Sequence, residues 1–342
     1  MLALSLLIAA APLPLNVPGR VLREPSGEIR FGWPGVYFES RFRGTGVRVR
    51  FEAPQEHVRL LVDGEQKMAV SKTGRVDLTF GGLPMGEHVV RLEKQTESQS
   101  GGGRFLGFYP VDGAAPLAAP HRARRIEFIG DSYTVGYGNT SPVRECSKAE
   151  VQDRTDTQQA FGPVLARRYD ADYRVVAYSG FGIVRNYAGG SPELSLPRIY
   201  ARSTPDTRVG TEPPETGWRP QIIVINLGTN DFSTPLRAGE RWRGAEALRA
   251  DYRRTYAGFV KRIAARQPQA RFILMGSDEF IADVRAVAND VNRDAPGRAT
   301  AIRFGGLELT GCDWHPSVAD DVRLADLLAG TIDAMPGAWT GR

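Results

Sequence analysis

The spacing of hydrophobic residues changes once along this chain, and the change decides what each part can fold into. Over residues 17–113 apolar and polar residues alternate, as in VRVRF at 47–51 and VDLTF at 76–80, which puts the apolar side chains on one face of each strand. Glycines separate the short runs, and Asp63-Gly64 is typical of a hairpin turn. The pattern predicts an antiparallel β-sandwich, without a helix of useful length, as the first domain.

From residue 126 onward the pattern becomes strand, then helix. Between short apolar runs, apolar residues recur every three or four positions, for example at Tyr252, Tyr256 and Val260. The apolar runs themselves are typical of strands covered on both faces, and they lie at 126–130, 173–180, 221–228, 271–276 and 300–306. This alternation predicts an α/β domain over residues 126–342, built on a parallel sheet between layers of helices. The stretch 114–125, rich in Pro, Ala and Arg, is predicted to be the linker.

Composition and charge narrow the function classes. The chain has 342 residues, of which 42% are hydrophobic and 24% charged, so it can bury the cores of two globular domains. The formal net charge of +5 comes mainly from arginines that are scattered along the sequence. We therefore expect no nucleic-acid partner.

The N-terminal residues 1–16 form an apolar stretch followed by small residues and prolines. The stretch is too short to span a bilayer and is predicted to be a secretory signal peptide, although no Lys or Arg precedes it and Pro12 would follow a cut at Ala11. The alternative is a buried N-terminal strand. We expect a secreted or periplasmic protein with no membrane association.

Polar motifs follow four of the predicted strands of the α/β domain. The first strand ends at Gly130-Asp131-Ser132, and SGFG at 179–182, GTND at 228–231 and CDWH at 312–315 follow later strands. In open α/β sheets, ligands bind beyond the carboxyl ends of the strands. The four motifs are therefore predicted to meet in one crevice.

The residue types in this crevice suit acyl transfer. A serine hydroxyl attacks a carbonyl when a base accepts its proton, and His315 is the one histidine of the α/β domain, so Ser132 and His315 are predicted as nucleophile and base. The N–H groups of Ser132 and Gly182 and the side-chain amide of Asn230 are predicted to hold the oxyanion. Taken singly, each motif is also compatible with a helix cap, a turn or a loop residue. One histidine without a cluster of further ligands predicts no metal site.

Together, GDSYT, SGFG, GTND and WHP resemble the four blocks of the SGNH (GDSL-type) hydrolase superfamily. More narrowly, SGFGIVRNY, INLGTNDFS, GCDWHPSVA and the β-rich first part resemble carbohydrate esterase family 2, bacterial deacetylases with an N-terminal jelly roll. The resemblance implies a three-layer α/β sandwich behind a jelly-roll-like β domain, with Ser132 and His315 catalytic and Gly182 and Asn230 in the oxyanion hole. It also implies removal of O-acetyl groups from xylan-like or glucomannan-like polysaccharides, without a cofactor.

The last motif departs from the superfamily pattern, which places an Asp three residues before the catalytic His. That position is Cys312, and the nearest carboxylate is Asp313, two residues before His315. Either Asp313 orients the imidazole as the third catalytic residue, or a backbone carbonyl does so and a Ser-His dyad operates. We expect Asp131 and Asp231 to bind backbone groups around the site instead.

The two cysteines of the chain are predicted to come together. Cys146 follows Ser132 by 14 residues and Cys312 precedes His315 by three, so the thiols approach each other if the serine and histidine meet. In an exported protein they are expected to form a disulfide. The alternative is two unpaired thiols that pack as small hydrophobic side chains.

Three functional alternatives differ in class. The first is a polysaccharide acetylesterase, the second another SGNH esterase that acts on lipids or on O-acetylated peptidoglycan, and the third a glycan-binding protein with an inactive hydrolase-like half. The complete set of Ser, Gly, Asn and His argues against the third. Near the motifs, Tyr133, Phe181 and Trp314 can stack against sugar rings or can serve as packing residues.

Overall fold

The computed structural model describes residues 11–111, 113–206 and 217–340, and this part of the chain is built around two separate sheets. Strands of the first, antiparallel sheet are β1 (Val21–Arg23), β2 (Ile29–Phe31), β3 (Tyr37–Gly44), β4 (Val47–Val62), β5 (Glu65–Phe80), β6 (Gly86–Lys94), β7 (Gly103–Pro110) and β8 (Ala115–Pro116). Among the described residues up to 111, the one helical element is a short 3₁₀ turn at Ser98–Ser100. The predicted antiparallel β domain is confirmed.

The strands of this domain form one curled hydrogen-bonded sheet rather than two separate ones. Its order is β1-β2-β7-β4-β6-β3-β8, and β5 pairs with β4. The 16-residue strand β4 pairs with β7 through residues 47–52 and with β6 through residues 58–62, and the register of its pairing with β5 shifts in between. Such irregularities bend a strand, so the sheet folds over its own apolar face. Asp63 and Gly64, both at positive φ, form the predicted hairpin turn between β4 and β5.

The second sheet is parallel and carries the predicted α/β domain. Its strands are β9 (Arg124–Gly130), β10 (Ala171–Ala177), β11 (Ile222–Asn226), β12 (Arg271–Gly276) and β13 (Ala299–Arg303), in the order β10-β9-β11-β12-β13. All four neighbouring pairs are parallel. Each observed strand overlaps one of the five predicted apolar runs.

Eight helices accompany this sheet in the described residues. They are α1 (Ser132–Val135), α2 (Lys148–Arg154), α3 (Phe161–Arg168), α4 (Leu196–Ile199), α5 (Thr229–Phe232), α6 (Ala245–Arg266), α7 (Ile281–Asp294) and α8 (Val318–Asp333). Strand β10 lies on one side of β9 in the sheet, and β11, β12 and β13 lie on the other side. Because crossover connections between parallel strands are right-handed, the connection from β9 to β10 covers one face of the sheet. The connections from β11 to β12 and from β12 to β13 cover the other face. Helix α3 packs with α8 and α6 packs with α7, which gives the three layers.

The predicted linker 114–125 is part of both domains rather than a free connection. Residues Ala115–Pro116 form strand β8 on β3, and β9 begins at Arg124. Between them, Arg122 donates hydrogen bonds to Glu39 of the β domain at 2.6 Å and to Asp172 of the α/β domain at 3.1 Å. The hydroxyl group of Tyr37 donates to the same Asp172 carboxylate at 2.7 Å. A buried polar junction therefore joins the two domains.

The predicted signal peptide falls partly outside the described residues, which begin at residue 11. Leu13 is buried, and its backbone N–H donates to the carbonyl of Phe108 at 2.8 Å. Asn16 forms a backbone bridge with Glu39. Residues 13–16 thus pack as part of the β domain. No helix among the described residues is long and apolar enough to cross a membrane.

Candidate active site

The position of Ser132 is set by the junction of a strand and a helix. Strand β9 ends at Gly130, and Ser132 is the first residue of α1, with Asp131 as the cap. One Asp131 carboxylate oxygen accepts from the N–H of Tyr133 at 3.1 Å, as expected for a carboxylate that binds backbone. The N–H of Ser132 has no acceptor among the described residues. It is therefore available to a ligand.

The structure brings His315 to Ser132. Nε2 of the imidazole lies 2.9 Å from the Ser132 Oγ, and Nδ1 lies 2.9 Å and 3.1 Å from the backbone carbonyl oxygens of Cys312 and Asp313. Carbonyl oxygens only accept hydrogen bonds, so the proton of the neutral ring belongs on Nδ1. Nε2 is then free to accept the hydroxyl proton of Ser132, which is the arrangement a general base requires.

The Asp313 carboxylate makes no hydrogen bond to the imidazole, so of the two predicted alternatives the structure offers no contact for Asp313 as the third catalytic residue. It accepts a hydrogen bond from the hydroxyl group of Tyr137 at 2.9 Å. The backbone explains the difference, because Asp313 is in the left-handed region, with φ 50° and ψ 42°. This turn directs the carbonyl of Asp313 toward His315 and its side chain away from it. The geometry corresponds to the alternative in which backbone carbonyls orient the ring.

Burial controls the basicity of His315. It lowers the pKa of the imidazole below its ordinary value of 6.5, and the two backbone carbonyls and the charge of Asp313 offset part of this effect. The Tyr137 ring packs against the imidazole with 4.3 Å between ring centroids, and the Tyr133 ring meets it edge-on. Burial of the imidazole between these rings therefore favours its neutral form.

Asn230 lies beside Ser132, at the start of α5, with its amide already engaged. The Nδ2 group donates to Asp131 at 3.2 Å and to the carbonyl of Phe181 at 3.0 Å. Burial raises the pKa of Asp131 to about 7, and the nearby Asp231 adds to this. To bind an oxyanion, the Asn230 amide has to share one of its two N–H hydrogens between the oxyanion and its present acceptor, or give up its hydrogen bond to Asp131 or Phe181.

The N–H group of Gly182, which was predicted as an oxyanion donor, is engaged by another residue. Its N–H donates to Oδ1 of Asn186 at 3.1 Å. A Cβ on this residue would lie 2.2 Å from the Arg185 carbonyl and 2.4 Å from the Asp231 carboxylate, so glycine is required here for close packing. The Asp231 carboxylate accepts the N–H groups of Ile183, Val184 and Arg185, the backbone role predicted for it.

The glycine that faces the cavity is Gly180, two residues earlier. It lines the same cavity as Ser132 and His315, has φ +83°, and its N–H has no acceptor among the described residues. Both glycines follow the same strand in the sequence, and Gly182 was the predicted donor. The signal that separates them is three-dimensional: one N–H is free and the other is bonded.

A disulfide fixes the loop that carries the histidine. Cys146 and Cys312 are bonded, with 5.5 Å between their Cα atoms, and Cys312 is fully buried. The N–H of Cys312 also donates to the carbonyl of Gly138 at 3.2 Å. Because the Cys312 carbonyl is one of the two acceptors for His315, the cross-link holds part of the active site itself.

The cavity around Ser132 has a volume of about 1030 Å³ and is lined by both domains. The β domain contributes Gln55, Glu97 and Gln99. Two aromatic rings at the opening are largely exposed, Trp314 at 57% and Tyr187 at 59%, whereas Phe181 is buried as a packing residue. Within residues 11–111, 113–206 and 217–340, no group of three or more His, Cys, Asp or Glu side chains could hold a metal ion.

Family models match both domains. The model for carbohydrate esterase 2 N-terminal matches residues 17–120, and the model for the GDSL-like Lipase/Acylhydrolase family matches residues 128–335. An acetylxylan esterase / glucomannan deacetylase of Cellvibrio japonicus (strain Ueda107) is 47% identical over 338 residues, covering 96% of this chain and 93% of that protein. The cellulase/esterase CelE of Acetivibrio thermocellus is 30% identical over 323 residues, covering 90% of this chain and 38% of that protein.

Solved structures agree with these matches. A carbohydrate esterase whose active site is described as having divergent catalytic and non-catalytic binding functions superimposes with a TM-score of 0.90 at 46% identity, covering 96% of this chain and 100% of that chain. A family two carbohydrate esterase from Clostridium thermocellum, in complex with cellohexaose, gives a TM-score of 0.80 at 28% identity, covering 93% and 98%. The chain therefore belongs to the GDSL-like lipase/acylhydrolase family and, through both of its domains, to the family 2 carbohydrate esterases.

Proposed function

We propose that this protein is a serine esterase that removes O-acetyl groups from xylan-like or glucomannan-like polysaccharides. The observation that carries the proposal is the 2.9 Å contact between Ser132 Oγ and His315 Nε2, at the bottom of a cavity with exposed aromatic rings. A nucleophile in contact with a correctly protonated base is the minimum apparatus for acyl transfer.

In the first half of the reaction, the acetyl group is transferred to the enzyme. Ser132 Oγ attacks the acetyl carbonyl carbon while its proton passes to Nε2 of His315. The resulting tetrahedral intermediate collapses, the bond from carbon to the sugar oxygen breaks, and the imidazolium returns the proton to that oxygen. The products are the free sugar hydroxyl and an acetyl ester on Ser132.

In the second half, water takes the place of the sugar. Nε2 of His315 accepts a proton from the water as its oxygen attacks the acetyl ester, and the same proton then returns to Ser132 Oγ as acetate leaves. The charged imidazolium forms in both halves, and the carbonyls of Cys312 and Asp313 stabilise it by accepting the Nδ1–H.

Oxyanion stabilisation falls to donors that converge beside Ser132. The N–H groups of Ser132 and Gly180 have no acceptor among the described residues, and the amide of Asn230 lies in the same cavity. Hydrogen-bond donors that are fixed before the reaction stabilise the developing oxyanion without having to reorient. Gly180 replaces Gly182 in this assignment.

The shape of the site favours a short acyl group on a large alcohol. Ser132 is only 6% exposed, so the acyl chain must fit beside a nearly buried atom. The remaining cavity is far larger than an acetyl group, and Trp314 and Tyr187 offer flat surfaces against which sugar rings can stack. The relative of 47% identity is named for xylan and glucomannan, and we extend that substrate class to this chain.

Action on a polymer of the plant cell wall requires export. We propose that the apolar N-terminal residues serve as a signal peptide that ends before Leu13, since residues from Leu13 onward pack in the β domain. The disulfide between Cys146 and Cys312 suits an oxidising compartment outside the cytoplasm.

The test compares acyl chain length with glycan identity. We expect kcat/KM to fall steeply from p-nitrophenyl acetate to butyrate and octanoate, because added methylenes overpack the site at Ser132. Acetylated xylan or glucomannan should release acetate faster than O-acetylated peptidoglycan. Equal rates on octanoate and acetate would favour a lipid esterase, a preference for peptidoglycan would favour that alternative, and a protein that binds glycans without hydrolysis would be a non-catalytic binder.

A further inference from the structure

One wall of the active-site cavity comes from the β domain, through the loop that follows β6. Glu97 and Gln99 of this loop line the same cavity as Ser132 and His315. The loop is tied to the α/β domain, since Ser98 Oγ donates to the carbonyl of Ala177 at 2.7 Å and the side-chain amide of Gln99 donates to the carbonyl of Ser179 at 3.0 Å. It therefore has a fixed place relative to the nucleophile.

A buried ion pair fixes the backbone of the loop from the other side. The side chains of Lys94 and Glu56 are 1% and 0% exposed, and Nζ lies 2.9 Å from the carboxylate. The same Nζ donates to the carbonyls of Thr96 and Glu97, at 2.5 Å and 2.6 Å. All three hydrogens of the ammonium group thus have acceptors, and two of them hold the backbone at Glu97 in place.

The carboxyl group of Glu97 has no comparable partner. Its Oε2 is buried and has no described hydrogen-bond partner of good geometry, and the one donor close enough to act on it is the Ser179 hydroxyl, which is also buried. Burial raises the pKa of Glu97, although the nearby Ser179 hydroxyl and Lys94 ammonium lower it. A carboxylate can accept about four hydrogen bonds, and apart from the Ser179 hydroxyl no described residue offers a donor to Glu97, so this side chain of the cavity wall keeps acceptor positions for a ligand hydroxyl group.

We propose that Glu97 accepts a hydrogen bond from a free hydroxyl group of the glycan, and that the β domain thereby selects sugar substrates. This inference rests on the proposed function. Sugars carry hydroxyl donors close to every acetylated oxygen, and p-nitrophenyl acetate carries none. The aromatic rings at the opening contact ring faces, whereas a carboxylate at a fixed position distinguishes one hydroxyl from another. Glu97 is thus a specificity residue that takes no part in the chemical step.

The experiment compares one variant on two substrates. Glu97→Ala is expected to lower kcat/KM on acetylated xylo- or manno-oligosaccharides roughly ten- to hundred-fold, mainly through a higher KM, which is the size expected for loss of one hydrogen bond to a charged group. Its kcat/KM on p-nitrophenyl acetate should stay within about twofold of the wild type. Glu97→Gln, which keeps the volume and one acceptor oxygen, should lose less on the oligosaccharide than the alanine variant.

Glu65→Ala is the matched control, because Glu65 is an exposed carboxylate of the same domain outside the cavity. It should leave both substrates unaffected. The inference is overturned if both Glu97 variants lose activity on the two substrates in parallel, which indicates a structural role, or if neither variant loses activity on the oligosaccharide. A wild-type enzyme that releases no acetate from any acetylated glycan overturns the proposed function as well, so the two failures are distinguishable.

Discussion

The proposed nucleophile and the proposed base of this enzyme are held by two different kinds of structure. Ser132 lies at the end of a central strand and the start of a helix, where the hydrogen bonding of the sheet and the helix cap fix its place. His315 lies in an irregular loop, where two consecutive residues, Asp313 and Trp314, have positive φ and a disulfide anchors Cys312. Regular structure positions one residue, and a cross-linked loop positions the other. The two should therefore respond differently to perturbation.

The largest effect is expected from removing either partner. Ser132→Ala or His315→Ala should lower kcat on p-nitrophenyl acetate by several orders of magnitude, because nucleophile and base act as one unit. Unchanged melting temperatures would show that the loss is chemical. Retention of a tenth of the wild-type activity in Ser132→Ala would exclude it as the nucleophile.

The next effect tests the oxyanion site next to the nucleophile. Asn230→Ala should lower kcat roughly 10²- to 10³-fold, the usual loss for one such donor. Separate measurement of kcat and KM checks this. A change confined to KM would mean that Asn230 binds the substrate in its ground state instead.

Cutting the cross-link should disturb the base more than the nucleophile. The double variant Cys146→Ser/Cys312→Ser should lower the free energy of unfolding by about 2–4 kcal/mol. We also expect kcat to fall about tenfold or more, because the Cys312 carbonyl no longer has a fixed position at Nδ1 of His315. Unfolding in denaturant and kinetics at low temperature separate the two effects.

Reduction of the wild-type protein with dithiothreitol should reproduce the lower kcat and should leave the double variant unchanged. A double variant with wild-type kcat would mean that the loop holds the histidine without its cross-link. In that case His315, like Ser132, would keep its position without a covalent cross-link.

The pH dependence should report the buried base. Only neutral imidazole accepts the Ser132 proton, and burial lowers the pKa of His315, so activity should be lost as the pH falls through a midpoint below 6.5. At pH 6.5 the enzyme should therefore retain more than half of its maximal kcat/KM on p-nitrophenyl acetate. A midpoint at or above 6.5 would contradict the effect of burial.

The smallest effect is expected at the carboxylate that lies nearest the histidine in sequence. Asp313→Asn keeps the backbone carbonyl that faces Nδ1, and asparagine tolerates the left-handed conformation. We expect kcat to change less than about threefold. A loss of several orders of magnitude would restore Asp313 as the third catalytic residue and would mean that its side chain turns toward the ring during the reaction.

The sequence was sufficient to predict the parts of the molecule that follow from regular structure. Alternating apolar residues in the first part and alternating strands and helices in the second indicated two domains. Motifs after several strands predicted that Ser132 and His315 meet, because the carboxyl ends of parallel strands lie along the same edge of the sheet. Alternation defines the faces of a strand but not its neighbours, so the order of the strands and their union in one curled sheet could not be predicted from it.

The other details of the candidate site depend on backbone dihedral angles and on contacts between residues far apart in the sequence. Gly180 and Gly182 are equivalent in sequence, and only the structure distinguishes them, by their N–H partners and by which of them lines the cavity. The left-handed turn at Asp313 moves its carboxylate off the imidazole, and no residue pattern revealed it. Glu97 reaches the site from another domain, outside any of the four motifs.

The polar junction at Arg122 has a consequence for how the molecule unfolds. Arg122, Glu39 and Asp172 are hydrogen-bonded across the two domains, and the Arg91 guanidinium lies 3.6 Å from the Tyr37 ring centroid and donates to the hydroxyl group of Tyr173. Separation of the domains would strip buried charges of their partners, so neither half is a self-sufficient folding module. The chain should melt in a single calorimetric transition, and a fragment that begins at residue 123, just before β9, should aggregate instead of giving a minimal esterase.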